Sequence, residues 1–358
     1  MAQAPIPDRL NPRGESLDKT LPGQGHRPHD QRGGEGVRKA HPRKGPKIGI
    51  ALGAGAARGW SHIGVLLELG DQGIHPDVVA GTSIGAVIGG CYAAGRLDVV
   101  DLFARSLTKK TVFGMMDVSF SGVGLLSGAK LRRRLHQALD GRRLEEFDKR
   151  FAAVATECGS GHEIWLTRGD AVAAICASYA LPGIFEPVRI NGRWLFDGAL
   201  VNPVPVTVCR SLGADIVLAV NLIGDNGFRG TVINDRLSME PALEALTAAE
   251  ATPKRGGFLG AFGADHRRNF GKREDGAPGM GSAMMDAFNI AQGRISRSRL
   301  AGDPPDVTIN ARVSKVGLFD FHRADELIEI GREAALRAIP EITDHIASTP
   351  PGDDAESL

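Results

Sequence analysis

Two glycine-rich turns limit what this chain can fold into more than any other feature. The first is GAGAARG (53–59), which follows the apolar run KIGIAL, and the second is GTSIG (81–85), which follows HPDVVA. Glycine accounts for 47 of the 358 residues, about twice its average share. Turns of this kind join strands to helices in α/β proteins. We therefore expect an α/β fold, a three-layer α/β/α sandwich with a mostly parallel central sheet.

Strands and helices alternate along most of the chain, which supports that fold class. Apolar residues at helical spacing predict helices at 57–69, 83–95, 130–139, 170–180, 283–300 and 324–339. Short apolar or alternating runs predict strands at 47–53, 75–81, 213–222 and 306–313, two more around the GSG turn within 150–170, and another within 191–206.

Composition divides the chain into tails, a domain and an insertion. Residues 1–45 hold no aromatic residue and carry nine basic against five acidic side chains. Such a segment cannot bury enough apolar surface to become ordered, so we predict a disordered N-terminal tail. Residues 46–345 form the predicted domain, interrupted at about 225–282 by a polar, glycine- and arginine-rich insertion that is a lid or a disordered segment. Residues 346–358 are predicted to be a disordered C-terminal tail.

Charge and cysteine usage exclude several classes of function. The 43 basic and 42 acidic residues leave a net charge of +1, which argues against a nucleic-acid binder. The four cysteines lie far apart without a CxxC pair, so we expect neither a zinc site nor another metal or cofactor.

The sequence also argues against a membrane-spanning protein. It shows no secretory signal and no apolar run long enough for a bilayer, so we expect a cytoplasmic protein with at most peripheral membrane contact. Arg132, Arg133 and Arg134 form a basic helix face that could attract anionic lipid headgroups, although a solvated surface is the simpler interpretation.

The first glycine-rich turn can offer backbone N–H groups to a negatively charged ligand. Its small residues let Gly55 and Ala56 approach a ligand closely, and the following helix N-terminus favours negative charge. A dinucleotide site is disfavoured because Arg58 stands where the fingerprint requires glycine and because no acidic residue follows the second strand. A phosphate site, an oxyanion hole and a packing turn remain open at this point.

The second turn has the GxSxG pattern of a nucleophile elbow, with Ser83 between Gly81 and Gly85. Glycines on both sides permit the sharp turn that lifts a serine hydroxyl off the sheet, and the flanking apolar strand and small-residue helix fit that motif. The helix N-terminus would aim the N–H of Ile84 at a developing oxyanion, together with donors from the first turn. The alternative is that Ser83 only caps a structural helix.

A serine nucleophile needs a base, and Asp197 is the preferred candidate. The segment WLFDGA (194–199) places this carboxylate directly after an apolar strand and before Gly198. A partly buried carboxylate has a raised pKa and can accept the hydroxyl proton. The alternative is that Asp197 caps the turn that follows it.

A histidine base would require a different arrangement. In the Ser–Asp–His order of a conventional triad, His266, His322 and His345 follow Asp197. His322 is the best placed of these, because His266 lies in the insertion and His345 lies near the C-terminus. His62, close to the first turn in sequence, is expected to pack or hydrogen-bond structurally.

The motifs GAGAARG, GTSIG and DGA, in this order, resemble the patatin-like phospholipase family, whose members hydrolyse acyl esters with a Ser–Asp dyad. The segments ASYALPGIFEPV, LGADIVLAVNL and AGDPPDVTI extend the likeness to its bacterial RssA-like subgroup, which is related to neuropathy target esterase. The resemblance covers about 47–223 and 284–340.

This resemblance implies a patatin-type fold and roles for individual residues. It matches Ser83 with the nucleophile, Asp197 with the base, and Gly55 and Ala56 with the oxyanion hole. The other motif positions that it matches are Gly53, Arg58, Gly59, Gly81, Gly85 and Gly198. One departure is that alanine stands at 54 and 56, where many members have glycine. Alanine keeps its N–H, so the oxyanion hole should persist unless φ must be positive there.

The resemblance also implies a carboxylic ester hydrolase that acts on acyl-ester lipids through an acyl-enzyme intermediate. Two alternatives remain: a catalytically silent protein that binds lipid or a partner on the same scaffold, and an α/β-hydrolase with His322 as base. Acyl-chain length, headgroup and oligomeric state do not follow from the sequence.

Overall fold

The computed structural model describes residues 45–115, 128–223 and 279–350. The N-terminal tail up to residue 44, residues 224–278 of the predicted insertion and residues 351–358 lie outside the described residues.

Eight strands of the described residues form one sheet. They are β1 (Ile48–Leu52), β2 (Val78–Thr82), β3 (Arg150–Glu157), β4 (Glu163–Leu166), β5 (Val188–Ile190), β6 (Arg193–Asp197), β7 (Ile216–Asn221) and β8 (Val307–Asn310). The order is β5-β6-β3-β2-β1-β7-β8, and β4 also pairs with β3. The pairs β3–β2, β2–β1, β1–β7 and β7–β8 are parallel, whereas β4 and β6 run antiparallel to β3.

Helices connect and cover these strands. They are α1 (Ser61–Asp71), α2 (Ile84–Ala93), α3 (Leu97–Arg105), α4 (Lys109–Met115), α5 (Ala129–Leu139), α6 (Ala171–Ser178), α7 (Val206–Ser211), α8 (Met280–Gly302) and α9 (Ala324–Ser348). Short 3-10 turns lie at Ala56–Trp60, Leu144–Glu146 and Gly198–Leu200.

The parallel strands are apolar because both faces of the sheet are covered. On one face, side chains such as Ile50, Leu52 and Leu218 form a large core with α1, α2, α6 and α9. On the other face, smaller side chains such as Ala51 and Ala219 pack against α7 and the end of α8. The predicted three-layer α/β/α arrangement with a mostly parallel sheet is therefore confirmed.

Helices α1 and α9 cross at two glycines. A Cβ on Gly64 would lie 1.8 Å from the carbonyl oxygen of Ile328, and one on Gly331 would lie 2.0 Å from the carbonyl oxygen of Ser61. Only glycine permits backbones to approach this closely. The crossing places the chain that leads into α9 over the 3-10 turn that precedes α1.

The last helix differs from its prediction. It continues to Ser348 through Pro340, although the sequence predicts an end near residue 339 and a tail from 346. Proline removes one helical hydrogen bond, but the helix can continue when residues after the proline pack against the core. Ile342 supplies such a contact, since it is fully buried two residues after Pro340. Helix α8 similarly begins at Met280, within the predicted insertion.

Candidate active site

Ser83 occupies a sharp turn between β2 and α2. The strand ends at Thr82 and the helix begins at Ile84, so the whole change of direction falls on Ser83. Its backbone has φ 58° and ψ −123°, a conformation that residues other than glycine rarely adopt. The local geometry is that of a nucleophile elbow.

Close backbone packing explains the two glycines on either side of Ser83. A Cβ on Gly85 would lie 2.1 Å from the carbonyl oxygen of Leu52, and one on Gly81 would lie 2.4 Å from the carbonyl oxygen of Gly85. Backbone atoms cannot move aside as a flexible side chain would. The start of α2 therefore lies closer to β1 and β2 than any residue with a side chain would allow.

Asp197 lies close to Ser83 because β2 and β6 pair with successive parts of the same edge of β3. The pairing of β2 ends at Thr82, opposite Val154, and the pairing of β6 starts at Asp197, opposite Ala155. Strand β4 occupies the other edge of β3 over these residues, so β2 and β6 share one edge. Because β6 runs antiparallel to β3, the carboxyl ends of β2 and β6 meet.

Both carboxylate oxygens of Asp197 accept a hydrogen bond. The Oγ of Ser83 donates to Oδ2 at 2.6 Å, and the N–H of Ala199 donates to Oδ1 at 2.8 Å. The hydroxyl of Thr156 donates to the backbone carbonyl of Asp197 at 2.8 Å. These contacts fix the orientation of the carboxylate towards the serine hydroxyl.

Burial determines the acidity of this carboxylate. Asp197 is only 2% exposed, and the loss of water raises its pKa to about 7, against the opposing effect of the hydrogen bonds from Ser83 and Ala199. A side chain with a pKa near 7 suits proton transfer at neutral pH in both directions. Asp197 can therefore accept a hydroxyl proton and later return it.

Ser178 supports the elbow, a role that the sequence motifs do not indicate. Its Oγ accepts a hydrogen bond from the N–H of Ser83 at 3.0 Å and donates one to the carbonyl of Val154 at 2.6 Å. The side chain is fully buried, which a hydroxyl tolerates when its hydrogen bonds are satisfied. The sequence feature that could have indicated this role is a serine at the end of the apolar helix AVAAICAS.

The turn after β1 holds two adjacent N–H groups that no described residue accepts. The N–H groups around them donate to carbonyl oxygens at 2.9 to 3.2 Å: Gly53 to Val220, Ala54 to Pro203, Ala57 to Leu318 and Arg58 to Gly55. Across the described ranges, those of Gly55 and Ala56 are left without an acceptor. A pair of free donors next to a nucleophile is the requirement for an oxyanion hole.

Ala56 is strained in this turn. Its φ is 50°, in the left-handed region that favours glycine. Alanine was expected to be tolerated in this turn only where φ is negative; Ala54 meets that condition and Ala56 does not. The strain costs about 1 kcal/mol, so the surrounding contacts must hold Ala56 in place. Its N–H remains available.

The two turns are in contact at the carboxyl edge of the sheet. Strands β1 and β2 are neighbours, with Leu52 opposite Gly81. Gly59 packs directly on Ile84, since a Cβ there would lie 2.3 Å from the Cγ2 of that side chain. Ile84 is in the first turn of α2, where helical carbonyls cannot accept its N–H. A third donor thus faces the same edge.

A distant loop holds the first turn. The loop 311–323, between β8 and α9, accepts three hydrogen bonds from it. They run from Arg58 Nε to Val316 O at 2.8 Å, from Ala57 N to Leu318 O at 3.0 Å and from Trp60 Nε1 to Phe321 O at 3.1 Å. Partial burial lowers the pKa of Arg58. The motif arginine therefore ties the turn to this loop, a contact that the sequence did not indicate.

His62 holds the start of the same turn. The ring is fully buried in α1, and its Nε2 lies 2.7 Å from the carbonyl oxygen of Gly53. A carbonyl only accepts, so Nε2 carries the proton, and Nδ1 has no partner among the described residues. Desolvation lowers the pKa of His62 to about 4. The neutral ring is thus a hydrogen-bond donor to Gly53.

No histidine is among the hydrogen-bond partners of Ser83 or Asp197 within the described residues. His322 is half-buried in the loop before α9, and His345 lies in the last turns of that helix. His266 lies outside the described residues. The hydroxyl of Ser83 instead bonds directly to a carboxylate.

Within the described ranges, no group of three or more His, Cys, Asp or Glu side chains could hold a metal ion. None of the helices in the same ranges has the length and apolar character that crossing a membrane requires.

Comparisons with known proteins identify the family of this chain. A family model described as patatin-like phospholipase matches residues 50–210, a span that includes both turns and Asp197. An uncharacterized NTE family protein of Mycobacterium bovis is 33% identical over 329 residues, which cover 82% of this chain and 91% of that protein. Lysophospholipase NTE1 of Yarrowia lipolytica is 35% identical over 190 residues, 52% of this chain but only 13% of that protein.

Among solved structures, the match to VipD from Legionella pneumophila covers 86% of this chain and 78% of the VipD chain, with 14% identity and a TM-score of 0.33. This similarity is too distant to support an inference. The near full-length match to the mycobacterial protein and the family model lead to one conclusion. This chain belongs to the patatin-like phospholipase family of lipid hydrolases, among the proteins related to neuropathy target esterase.

Proposed function

We propose that the protein is a serine acyl hydrolase that cleaves fatty-acyl esters of the phospholipid or lysophospholipid class, and thus a carboxylic ester hydrolase. The observation that carries this proposal is the 2.6 Å hydrogen bond from Ser83 Oγ to Asp197 Oδ2, made at a strained elbow in a family of lipid hydrolases. The relatives named lysophospholipase favour the lysophospholipid as substrate class.

In the first step, Ser83 Oγ attacks the ester carbonyl carbon while Asp197 takes the hydroxyl proton. The carbonyl oxygen becomes negatively charged, and the N–H groups of Gly55, Ala56 and Ile84 stabilise it. Two of these donors are free in the described structure, and the third is in the first turn of α2. Donors that are already oriented cost no reorganisation when charge develops.

In the second step, the tetrahedral intermediate collapses to an acyl-Ser83 ester and the alcohol leaves with the proton from Asp197. Water then attacks the acyl group while Asp197 accepts its proton, and the fatty acid leaves as Ser83 is regenerated. Each half of the cycle needs Asp197 both to gain and to lose a proton. A pKa of about 7 suits both transfers at neutral pH.

For this protein we place the reaction in the cytoplasm, with peripheral contact to the membrane that supplies the lipid. The alternative of a catalytically silent lipid- or partner-binding protein is not favoured by an intact Ser83–Asp197 pair. The alternative with His322 as base is not favoured by the direct bond between hydroxyl and carboxylate.

Hydrolysis of p-nitrophenyl esters across acyl lengths tests the dyad. Ser83→Ala should reduce hydrolysis to background, and Asp197→Asn should reduce kcat about a thousandfold, since general base catalysis contributes effects of this order. His322→Ala is the matched control and should keep the wild-type rate. Labelling of the wild type, but not of Ser83→Ala, by a fluorophosphonate would establish the nucleophile. A near-normal rate for Asp197→Asn would exclude the dyad.

The pH dependence gives a second test of Asp197. The base works only when ionised, so kcat/KM should fall below a pKa near 7. Burial raises this pKa above its unfolded value of 3.8, so the folded state keeps a proton that the unfolded state releases between about pH 4 and pH 7. Stability should therefore decrease as pH rises through that window, and Asp197→Asn should flatten the decrease. An unchanged slope would show that Asp197 is not the titrating group.

A further inference from the structure

Helix α5 has an apolar face on the core and a basic face in solvent. Leu135 and Leu139 are buried, whereas Arg132, Arg133 and Arg134 are exposed. Successive residues lie about 100° apart around a helix, so three consecutive arginines cover most of the outward half. The helix sequence, AKLRRRLHQAL, contains no acidic residue.

No acidic side chain in the described ranges pairs with these charges. The ion pairs that the described residues make include none of Arg132, Arg133 and Arg134. Positive charge near the start of a helix opposes its dipole, as Arg132 does in the first turn of α5. The arrangement thus has an energetic cost that a negatively charged surface would offset.

The start of α5 lies near the candidate active site. A Cβ on Gly128 would be 3.3 Å from the ring of Phe185, and that ring packs edge to face on Tyr179 with centroids 5.3 Å apart. Tyr179 follows Ser178, which accepts the N–H of Ser83. The charge of Arg132 is felt at Tyr179, where it lowers the pKa that burial raises. Through Phe185 and Tyr179, the start of α5 therefore connects to Ser178, the residue that supports Ser83.

We propose that α5 docks on an anionic lipid bilayer through Arg132, Arg133 and Arg134. A lipid surface is favoured over nucleic acid because the family hydrolyses lipids and because the whole chain has a net charge of only +1. Docking on this helix would hold the candidate active site against the layer that contains the substrate. The proposal rests on the family's lipid substrate and is independent of the identity of the dyad.

Sedimentation with vesicles tests this surface in the full chain. The test variant replaces Arg132, Arg133 and Arg134 by Gln, which keeps length and helix propensity. The matched control replaces Arg96, Arg294 and Arg297 by Gln; these arginines are exposed and make no ion pair among the described residues. Both variants lose the same net charge.

The wild type should bind vesicles that contain phosphatidylglycerol more tightly than pure phosphatidylcholine vesicles, and salt should weaken this binding. Each arginine near an anionic surface contributes several-fold to affinity, so the α5 variant should lose about tenfold to a hundredfold. The control should stay within about twofold of the wild type. Hydrolysis of a soluble short-chain ester should be equal in all three, and Ser83→Ala should bind vesicles normally even if the dyad proposal fails.

Three results would overturn the proposal. One is equal loss of vesicle binding in the α5 variant and the control, which would mean that only net charge matters. Another is wild-type binding that does not depend on anionic lipid. The third is loss of RNA binding in the α5 variant without loss of vesicle binding.

Discussion

The two glycine-rich turns lie side by side, but they are held in different ways. The elbow at Ser83 is held by backbone packing of its own glycines on β1 and β2 and by two buried hydroxyls, that of Ser178 and that of Thr82, which donates to the carbonyl of Asn202 at 2.9 Å. The turn at Ala56 is held by hydrogen bonds to three separate parts of the chain: near Pro203, at Val220 and in the loop 311–323. Each turn nevertheless keeps one non-glycine residue at positive φ.

The comparison shows two ways to maintain a strained backbone. A turn that is set by its own glycines is compact and depends on few partners. A turn that is set by distant partners depends on the completed fold, so changes far along the chain can alter it. Substitutions at the elbow should therefore affect folding first, and those around the first turn should affect the rate first.

The largest effect is expected when the elbow packing is broken. Gly85→Ala would place a Cβ 2.1 Å from the Leu52 carbonyl oxygen and should destabilise the protein by at least about 3 kcal/mol, since overpacking against backbone cannot relax. Thermal unfolding should then shift down by on the order of 10 °C. The control is Gly302→Ala, because no atom lies within 4 Å of a Cβ there. A normal melting temperature for Gly85→Ala would contradict this account of the elbow.

An intermediate effect is expected at the first turn. His62→Leu removes the donor to the Gly53 carbonyl, and the loss of one buried hydrogen bond should reduce kcat about tenfold with little change in KM. Stability should be largely retained, because the substitution also removes the unpaired Nδ1. His62→Gln, which keeps a side-chain donor, should recover part of the rate. Full kcat in His62→Leu would show that this bond does not position the turn.

The smallest effect is expected from relief of backbone strain. Ala56→Gly should raise stability by about 1 kcal/mol, because glycine adopts positive φ without steric cost. Ser83→Gly should exceed Ser83→Ala in stability by a similar amount, although both lack the proposed nucleophile. Chemical denaturation of these variants measures strain separately from chemistry. Equal stability within either pair would mean that the turn stores no strain at that position.

The fold class and most of the elements could be predicted from the sequence, because apolar periodicity and turn glycines act locally. The same holds for the sharp turn at Ser83, which five residues specify. Helix α9 was predicted too short because Pro340 signals a local end, whereas the burial of Ile342 depends on the rest of the fold.

The supports of the candidate site could not be predicted, since they depend on which segments meet. Nothing in the local pattern around Phe321 or Val316 indicates that their carbonyls hold Trp60 and Arg58. The role of Ser178 is likewise hidden until α6 is placed against β3 and the elbow. The distance between Ser83 and Asp197 also could not be predicted without the fold. The order of the motifs suggested this pair, but the two side chains meet because β2 and β6 share one edge of β3.

The hydrogen bonds between the first turn and the loop 311–323 determine when this turn can be held in place during protein synthesis. The carbonyl of Val316, which holds Arg58, is made 258 residues after that arginine, a delay of roughly 13 to 50 s at ordinary translation rates. In the later part of this interval a nascent chain contains both Ser83 and Asp197 but still lacks the loop that holds the first turn. A growing polypeptide could therefore hold the first turn in its final position only after the loop 311–323 has left the ribosome.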